Sequence, residues 1–389
     1  MKRTFVSRNI QESGPVYLDC NATAPLEPAV REAMVRWWSD EIGNAGSRTH
    51  EYGLRAKRAV QAAREQVAAV IGASADDIVF TSGATESNNL AILGLAAHGE
   101  AESRRHIVST AIEHKAVLEP LEALAARGFE VTLVRPEPGG AVSAEAVKAA
   151  LRPDTLLVSV MHVNNETGAR QPIGGIASVL NGHDAYFHVD AAQGFGKELD
   201  DLRSPRIDLI SISSHKVYSP VGVGALAVRR RGFKKPPLTP LIHGGGQERG
   251  LRPGTLPVPL IVGLGLAAEL AQKNAKARRE RCAAIRAQAL AALEPLDIRM
   301  HVDPDISLPH VLNFSVAGID SEALMVALKD VAAVSNGSAC TSQSYEPSHV
   351  LTAMGLPEQA VAGAVRLSWC HMTPDVDWQG IAARIASLR

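Results

Sequence analysis

Two stretches decide the fold: Ala185-Tyr186-Phe187-His188-Val189-Asp190-Ala191-Ala192-Gln193 and Asp208-Leu209-Ile210-Ser211-Ile212-Ser213-Ser214-His215-Lys216. Each is a short apolar run that stops on a polar cluster, the pattern of a buried strand ending at a crevice. Similar runs stand at 77–81, 106–110, 130–134, 155–162 and 224–228, several bounded by Gly, Pro or Asp. Helical patterns lie between them at 54–71, 87–97, 114–127 and 143–151. On the first of these, Val60, Ala63, Val67 and Val70 fall at spacings of three and four, one face of a helix. This alternation predicts an α/β fold whose mainly parallel sheet is covered by helices on both faces.

With 389 residues, the chain exceeds the size at which a single core stops growing, so a large and a smaller domain are expected. Pro236-Pro237 and Gly244-Gly245-Gly246 interrupt the strand–helix alternation. A long helical segment over 260–293 reads as a connector. The remainder reads as a small α+β domain, with a strand near 310–316, a helix at 321–329 and a terminal helix. The expected division is 1–24 as an arm with part of the small domain, 25–262 as the large domain, and 263–389 as the small domain.

Net charge is −1, so no global field points to nucleic acid or a membrane, and direct nucleic-acid binding is not expected. Arg229-Arg230-Arg231 with Lys234-Lys235, and the basic stretch from Lys273 to Arg281, suit solvated surface or docking of an acidic partner. No apolar run is long enough to span a bilayer, and the polar stretch Met1 to Pro15 lacks the apolar region of a secretory leader. Cys20, Cys282, Cys340 and Cys370 are scattered and form no CxxC pair. That argues against a zinc site or a disulfide framework and for the reducing cytoplasm, with no metal expected.

The chemistry gathers at the predicted strand ends, where an open parallel sheet forms its ligand crevice. A lysine amine at Lys216 can form a Schiff base with an aldehyde cofactor. A carboxylate at Asp190, costly in an apolar setting unless paired, can hold a pyridine nitrogen protonated. Together they suit pyridoxal phosphate (PLP). Thr81-Ser82-Gly83-Ala84-Thr85-Glu86-Ser87-Asn88 follows a strand and opens a helix, so its free N–H groups suit a phosphate; taken alone, it also suits an ordinary helix cap. His114, past the strand ending at Thr110, suits stacking and proton transfer, or a plain helix start. Asn164 and Asn165 suit a cofactor oxygen or a substrate carboxylate, or turn formation before Gly168. The loop from His243 to Thr255 lacks the lysine and spacing of a nucleotide-binding P-loop.

Taken together, these segments resemble the cysteine desulfurases, a branch of the fold-type I (class-V aminotransferase-like) PLP enzymes. The resemblance runs from Tyr17-Leu18-Asp19 to about Pro374. It is carried by 81–89, Glu113-His114-Lys115, 161–168, 188–193, 213–216, 243–255 and 335–342. It implies a large domain with a seven-stranded sheet between helices, and it implies roles residue by residue. Lys216 would bond the cofactor, Asp190 would pair with its nitrogen and His114 would stack on its ring. Asn165 and Gln193 would contact the ring oxygen, and Asn165 also the substrate. Ala84, Thr85, Ser213 and His215 would hold the phosphate. Thr255 would reach the phosphate of a neighbouring subunit, implying a homodimer with shared sites. Arg366 would clamp the carboxylate of L-cysteine. Cys340, among small polar residues in the small domain, would be the nucleophile that takes sulfur as a persulfide for an acceptor protein; Lys216 and His114 would be the other catalytic groups. Cys20, Cys282 and Cys370 read as inert thiols.

Four departures from the family pattern bear on the branch. They are Asn21-Ala22-Thr23-Ala24-Pro25, Val221, Ala45-Gly46 and Trp369-Cys370. None falls on the PLP core. Iron–sulfur cluster assembly, tRNA thiolation and DNA phosphorothioation all stay open as destinations for the sulfur. The competing readings are a selenocysteine lyase, a small-amino-acid aminotransferase, and a sulfur-relay docking scaffold. Cys340 argues against the aminotransferase, and the Lys216, Asp190 and His114 set argues against the scaffold.

Overall fold

The computed structural model describes residues 14–336 and 347–389. Its centre is a seven-stranded sheet. From one edge the strands run Ile78–Thr81, Gly224–Val228, Leu209–Ser213, Tyr186–Asp190, Thr155–Met161, His106–Thr110 and Glu130–Val134. Gly224–Val228 is antiparallel to both neighbours, and the other pairings are parallel. Each predicted strand is present. Leu209–Ser213 and Thr155–Met161 are buried at every position, as continuous apolar runs between helix layers should be. Glu130–Val134, at the far edge, is exposed at Glu130 and Leu133.

The helix Glu51–Ile71 begins ahead of the predicted residue 54 because the His50 ring accepts from Gly53 N. It ends at Gly72, whose φ of 67° gives the left-handed cap. Its inner face carries Ala56, Val60, Ala63 and Val67 onto the sheet core. The helix Val258–Lys273 crosses it closely. A Cβ at Gly265 would sit 2.5 Å from Ala63 Cα, so only glycine permits this approach.

Two predicted helices are divided. The stretch expected over 87–97 is Ala84–Leu93 followed by Ala96–Ala101, because Thr239 N and Oγ1 both bond the Gly94 carbonyl and take it out of the helical ladder. The segment expected over 260–293 is Val258–Lys273 and Ala275–Leu293, broken at Asn274 (φ −107°, ψ 11°). The first half buries Ile261, Leu264 and Ala268 in the core of the large sheet. The second buries Ile285, Ala289 and Leu293 in a separate core with Leu312, Phe314, Leu367 and Trp369. Core membership therefore changes at Asn274.

That second core lies on a three-stranded antiparallel sheet, ordered Val365–Ser368, Val311–Val316, Ile298–Met300. Leu18 joins it from the N-terminal side, and Val16–Tyr17 pairs in parallel with Ala332–Ala333. Asp19 then bridges Ser368, so the chain from Leu18 to Ala24 passes from the small sheet toward the C-terminal ends of the large one.

Candidate active site

The C-terminal ends of the parallel strands open on a cavity of about 380 Å³, within the range of small-molecule sites. Ala84, Thr85, His114, Asn165, Asp190, Gln193, Ser213, His215, Lys216 and Arg366 all line it. Ten of the residues singled out in the sequence are thus in one place. Thr255 does not line it and is exposed on its loop. Cys340 lies outside the described residues.

Asp190 ends its strand and is 5% exposed. Its oxygens accept from Asn88 Nδ2 at 2.7 Å and from Ala192 N at 2.9 Å. Both donors are neutral. A buried carboxylate so placed is stabilised by a cation facing it from the cavity. On the cavity wall near the sheet edge, the helix Ala84–Leu93 starts from Gly83, which has no side chain to cap it. The first N–H groups are thereby left to an anion. This loop lies directly on the adjoining strand: a Cβ at Gly224 would come within 2.6 Å of Gly83 Cα. Glu86 braces the same turn, accepting from Ser82 N at 2.7 Å and from Arg252 at 2.9 Å. Burial pushes its carboxyl up, but the Arg252 and Ser82 hydrogen bonds outweigh that and hold it below the usual range.

His215 is pushed down to about 4 by burial first, then by Lys216 and Lys197. It is therefore a neutral ring at pH 7, paired through Nδ1 with the Thr23 hydroxyl at 3.1 Å, and can serve an anion only as a neutral donor. His114 caps the helix Lys115–Ala125, its Nδ1 accepting from Ala116 N at 3.0 Å. That bond puts the proton of a neutral ring on Nε2. Gln193 donates from Nε2 to the Asn21 carbonyl at 2.9 Å, and Lys197 reaches its Oε1 at 3.5 Å. Lys216 Nζ donates to the carbonyls of Asn21 and Ala22, the latter at 2.7 Å.

Arg366 is 3% exposed. Its Nη2 meets Asp19 Oδ1 at 2.6 Å and its Nη1 donates to the Asn165 carbonyl at 2.9 Å. Among the described residues, neither Arg366 Nε nor Asn165 Oδ1 finds a partner, although both are buried. Buried groups of this kind call for a bound ligand.

The sequence reading missed the residues behind these. Asn88, the direct partner of Asp190, carried a usable signal: it lies four positions after Ala84, on the same helix face. Asp19, Asn21 and Ala22 carried none, since their contacts with Arg366, Gln193 and Lys216 span 347, 172 and 194 positions. Glu113 was passed over for its neighbour His114. It is fully buried, accepts from Thr110 Oγ1 at 2.6 Å and Met161 N at 2.9 Å, and is pushed up to about 8, by burial above all.

The donor set fits PLP: a helix start for phosphate, a carboxylate with neutral partners for the ring nitrogen, and a lysine amine for the aldehyde. A sequence model of the aminotransferase class-V family matches residues 16–378. The chain is 50% identical to the cysteine desulfurase IscS of Anaeromyxobacter dehalogenans (strain 2CP-C) over 354 residues, covering 90% of this chain and 87% of that one. Among solved structures it is similar to DndA from Streptomyces lividans (51% identity, TM-score 0.80, 89% of this chain and 97% of that one). It is also similar to SspA in complex with cysteine (40% identity, TM-score 0.80, 91% and 98%). With its sheet, its site and these relatives in agreement, the chain belongs to the PLP-dependent class-V aminotransferase family, on its cysteine desulfurase branch.

Proposed function

We propose that this chain converts L-cysteine to L-alanine and keeps the sulfur on Cys340 as a persulfide for delivery to an acceptor protein in the cytoplasm. One observation carries the reading: a single cavity joins Asp190, Lys216 and the Ala84 helix start with the buried Arg366. Lys216 would hold PLP through its aldehyde, Asp190 through its ring nitrogen, and Ala84, Thr85, Ser213 and His215 through its phosphate. Bound there, PLP supplies an electron sink for the pair left when the substrate loses its α-proton.

The protein's own groups do the rest. Arg366, with Asn165 beside it, binds the substrate carboxylate and so orients the α-carbon. Lys216, once its amine is free, takes the α-proton, and the Asn21 and Ala22 carbonyls accept from the resulting ammonium. His114, its Nδ1 engaged by the helix, moves protons through Nε2. The Cys340 thiolate attacks the substrate sulfur. The carbon–sulfur pair stays on the β-carbon, which takes a proton, and the α-carbon takes back the proton held on Lys216, so that alanine leaves and the persulfide remains.

The same reading makes the protein a homodimer with shared sites. Support comes from apolar side chains left exposed on and after the helix Pro28–Ser39: Val35, Trp38 (59%), Ile42, Tyr52 and Leu54. Leu241 and Ile242, on the loop leading to Thr255, are exposed as well. We place the division between large and small domains at Asn274, where the cores part. Iron–sulfur cluster assembly, tRNA thiolation and DNA phosphorothioation are the destinations we propose for the sulfur.

The test mixes purified protein with L-cysteine and a reductant and measures alanine and sulfide. Wild type makes both. Lys216→Ala makes neither. Cys340→Ala fails to release sulfide; full sulfide release by that variant would overturn the persulfide assignment.

A further inference from the structure

The chain segment that bridges the small sheet and the site places one carboxylate against the buried arginine. Asp19 forms a parallel bridge with Ser368, two residues beyond Arg366 on the strand Val365–Ser368. The Arg366 backbone is itself pinned, on the same edge of that strand, by paired hydrogen bonds with Ser335, N to O at 2.6 Å and O to N at 3.3 Å. The Arg366 side chain runs between two fixed acceptors, Asp19 Oδ1 at 2.6 Å and the Asn165 carbonyl at 2.9 Å. Arg366 lines the cavity and Asp19 does not. The carboxylate therefore meets the guanidinium without lining the ligand space.

A guanidinium is planar, and two acceptors on different nitrogens fix both its position and its plane. Of the other acids near Arg366, Glu166 accepts from Ser348 Oγ at 2.6 Å, and burial pushes its pKa up. Among the described residues, Asp19 is the acid that forms an ion pair with Arg366. The remaining donor edge, with the buried Nε still lacking a partner among the described residues, is left for one more acceptor.

We propose that Asp19 is a positioning residue that holds Arg366 in register for the α-carboxylate of the substrate, and so sets the preference for amino acids over simple amines; this rests on the desulfurase reading above. Asp19 does not line the cavity, so it acts on recognition through Arg366. Losing it frees the guanidinium to turn and raises KM with little change in kcat, the signature of lost binding shared by ground and transition states.

The test uses holoenzyme of wild type, Asp19→Asn and Asp19→Glu. Binding of L-cysteine and of cysteamine, the same thiol-amine without the carboxylate, is followed by the change in the visible absorbance of the cofactor. Wild type prefers L-cysteine. Asp19→Asn loses that preference by about tenfold or more, the value of a charge-assisted hydrogen bond, while cysteamine binding stays within about twofold of wild type. Asp19→Glu, which keeps the anion, recovers part of the preference. If Asp19→Asn weakens both ligands equally, the role is structural and the proposal is wrong; if it changes neither, Arg366 needs no support and the proposal is again wrong. Alanine formation by wild type checks the underlying reading separately: its absence would sink the desulfurase assignment whatever the two ligands show.

Discussion

At the scale of single residues, the site works by deciding which groups carry charge. His215, pushed down to about 4, is neutral in the proposed phosphate cradle, and Asp190 sits among neutral donors. Glu113, raised to about 8, is protonated at neutral pH although it adjoins His114. Its raised value makes a pH prediction. An acid whose folded pKa exceeds its unfolded value near 4.5 binds more protons when folded. Its contribution is then full below pH 4.5 and is lost as pH rises through 8. Within that window the loss from this group is at most about 1.4 kcal/mol per pH unit. Glu113→Gln, which keeps the shape and the neutral state, flattens this part of the profile. Denaturant unfolding at pH 5 and pH 8 reads it: the variant loses less stability between the two than wild type does. Asp190 and Lys216, to which we assign chemistry, stood out in the sequence because each follows an apolar run. Those that hold them did not. Asp19 meets Arg366 and Asn21 meets Gln193 only through the fold, and local pattern carries no trace of such pairs.

At the scale of elements, the proposed phosphate cradle is set by one strand. The loop Ser82-Gly83 lies on Gly224, where an added Cβ would be 2.5 Å from the Ile212 carbonyl oxygen and 2.6 Å from Gly83 Cα. Both obstacles are backbone and cannot swing aside. Gly224→Ala therefore shifts the helix start and costs about 1–3 kcal/mol, read as weaker PLP binding on reconstitution together with a lower Tm. A variant that binds PLP as wild type does would show that the cradle does not depend on this contact. Strand positions were readable from apolar runs and their Gly and Pro punctuation. Helix ends were less so, for stated reasons. Thr239 captures the carbonyl of Gly94, and Asn274 turns the chain between two cores. Neither is a local propensity.

At the scale of the whole molecule, two cores and a crossing segment from Leu18 to Ala24 bring the arginine of one sheet to the lysine of the other. The exposed apolar side chains around Trp38 call for a covering surface, and in the proposed homodimer a second copy would bring the exposed Thr255 loop to a neighbouring site. Trp38→Glu is expected to shift the molar mass in solution from dimer to monomer and to weaken PLP retention as well, by light scattering and by absorbance; a stable dimer in that variant would place the interface elsewhere. The central claim is that PLP attaches at Lys216. Borohydride reduction of the holoenzyme followed by peptide mass analysis tests it most directly. The account predicts a phosphopyridoxyl group on the peptide containing Lys216. A label on Lys197 instead, or no label on any lysine, would contradict it.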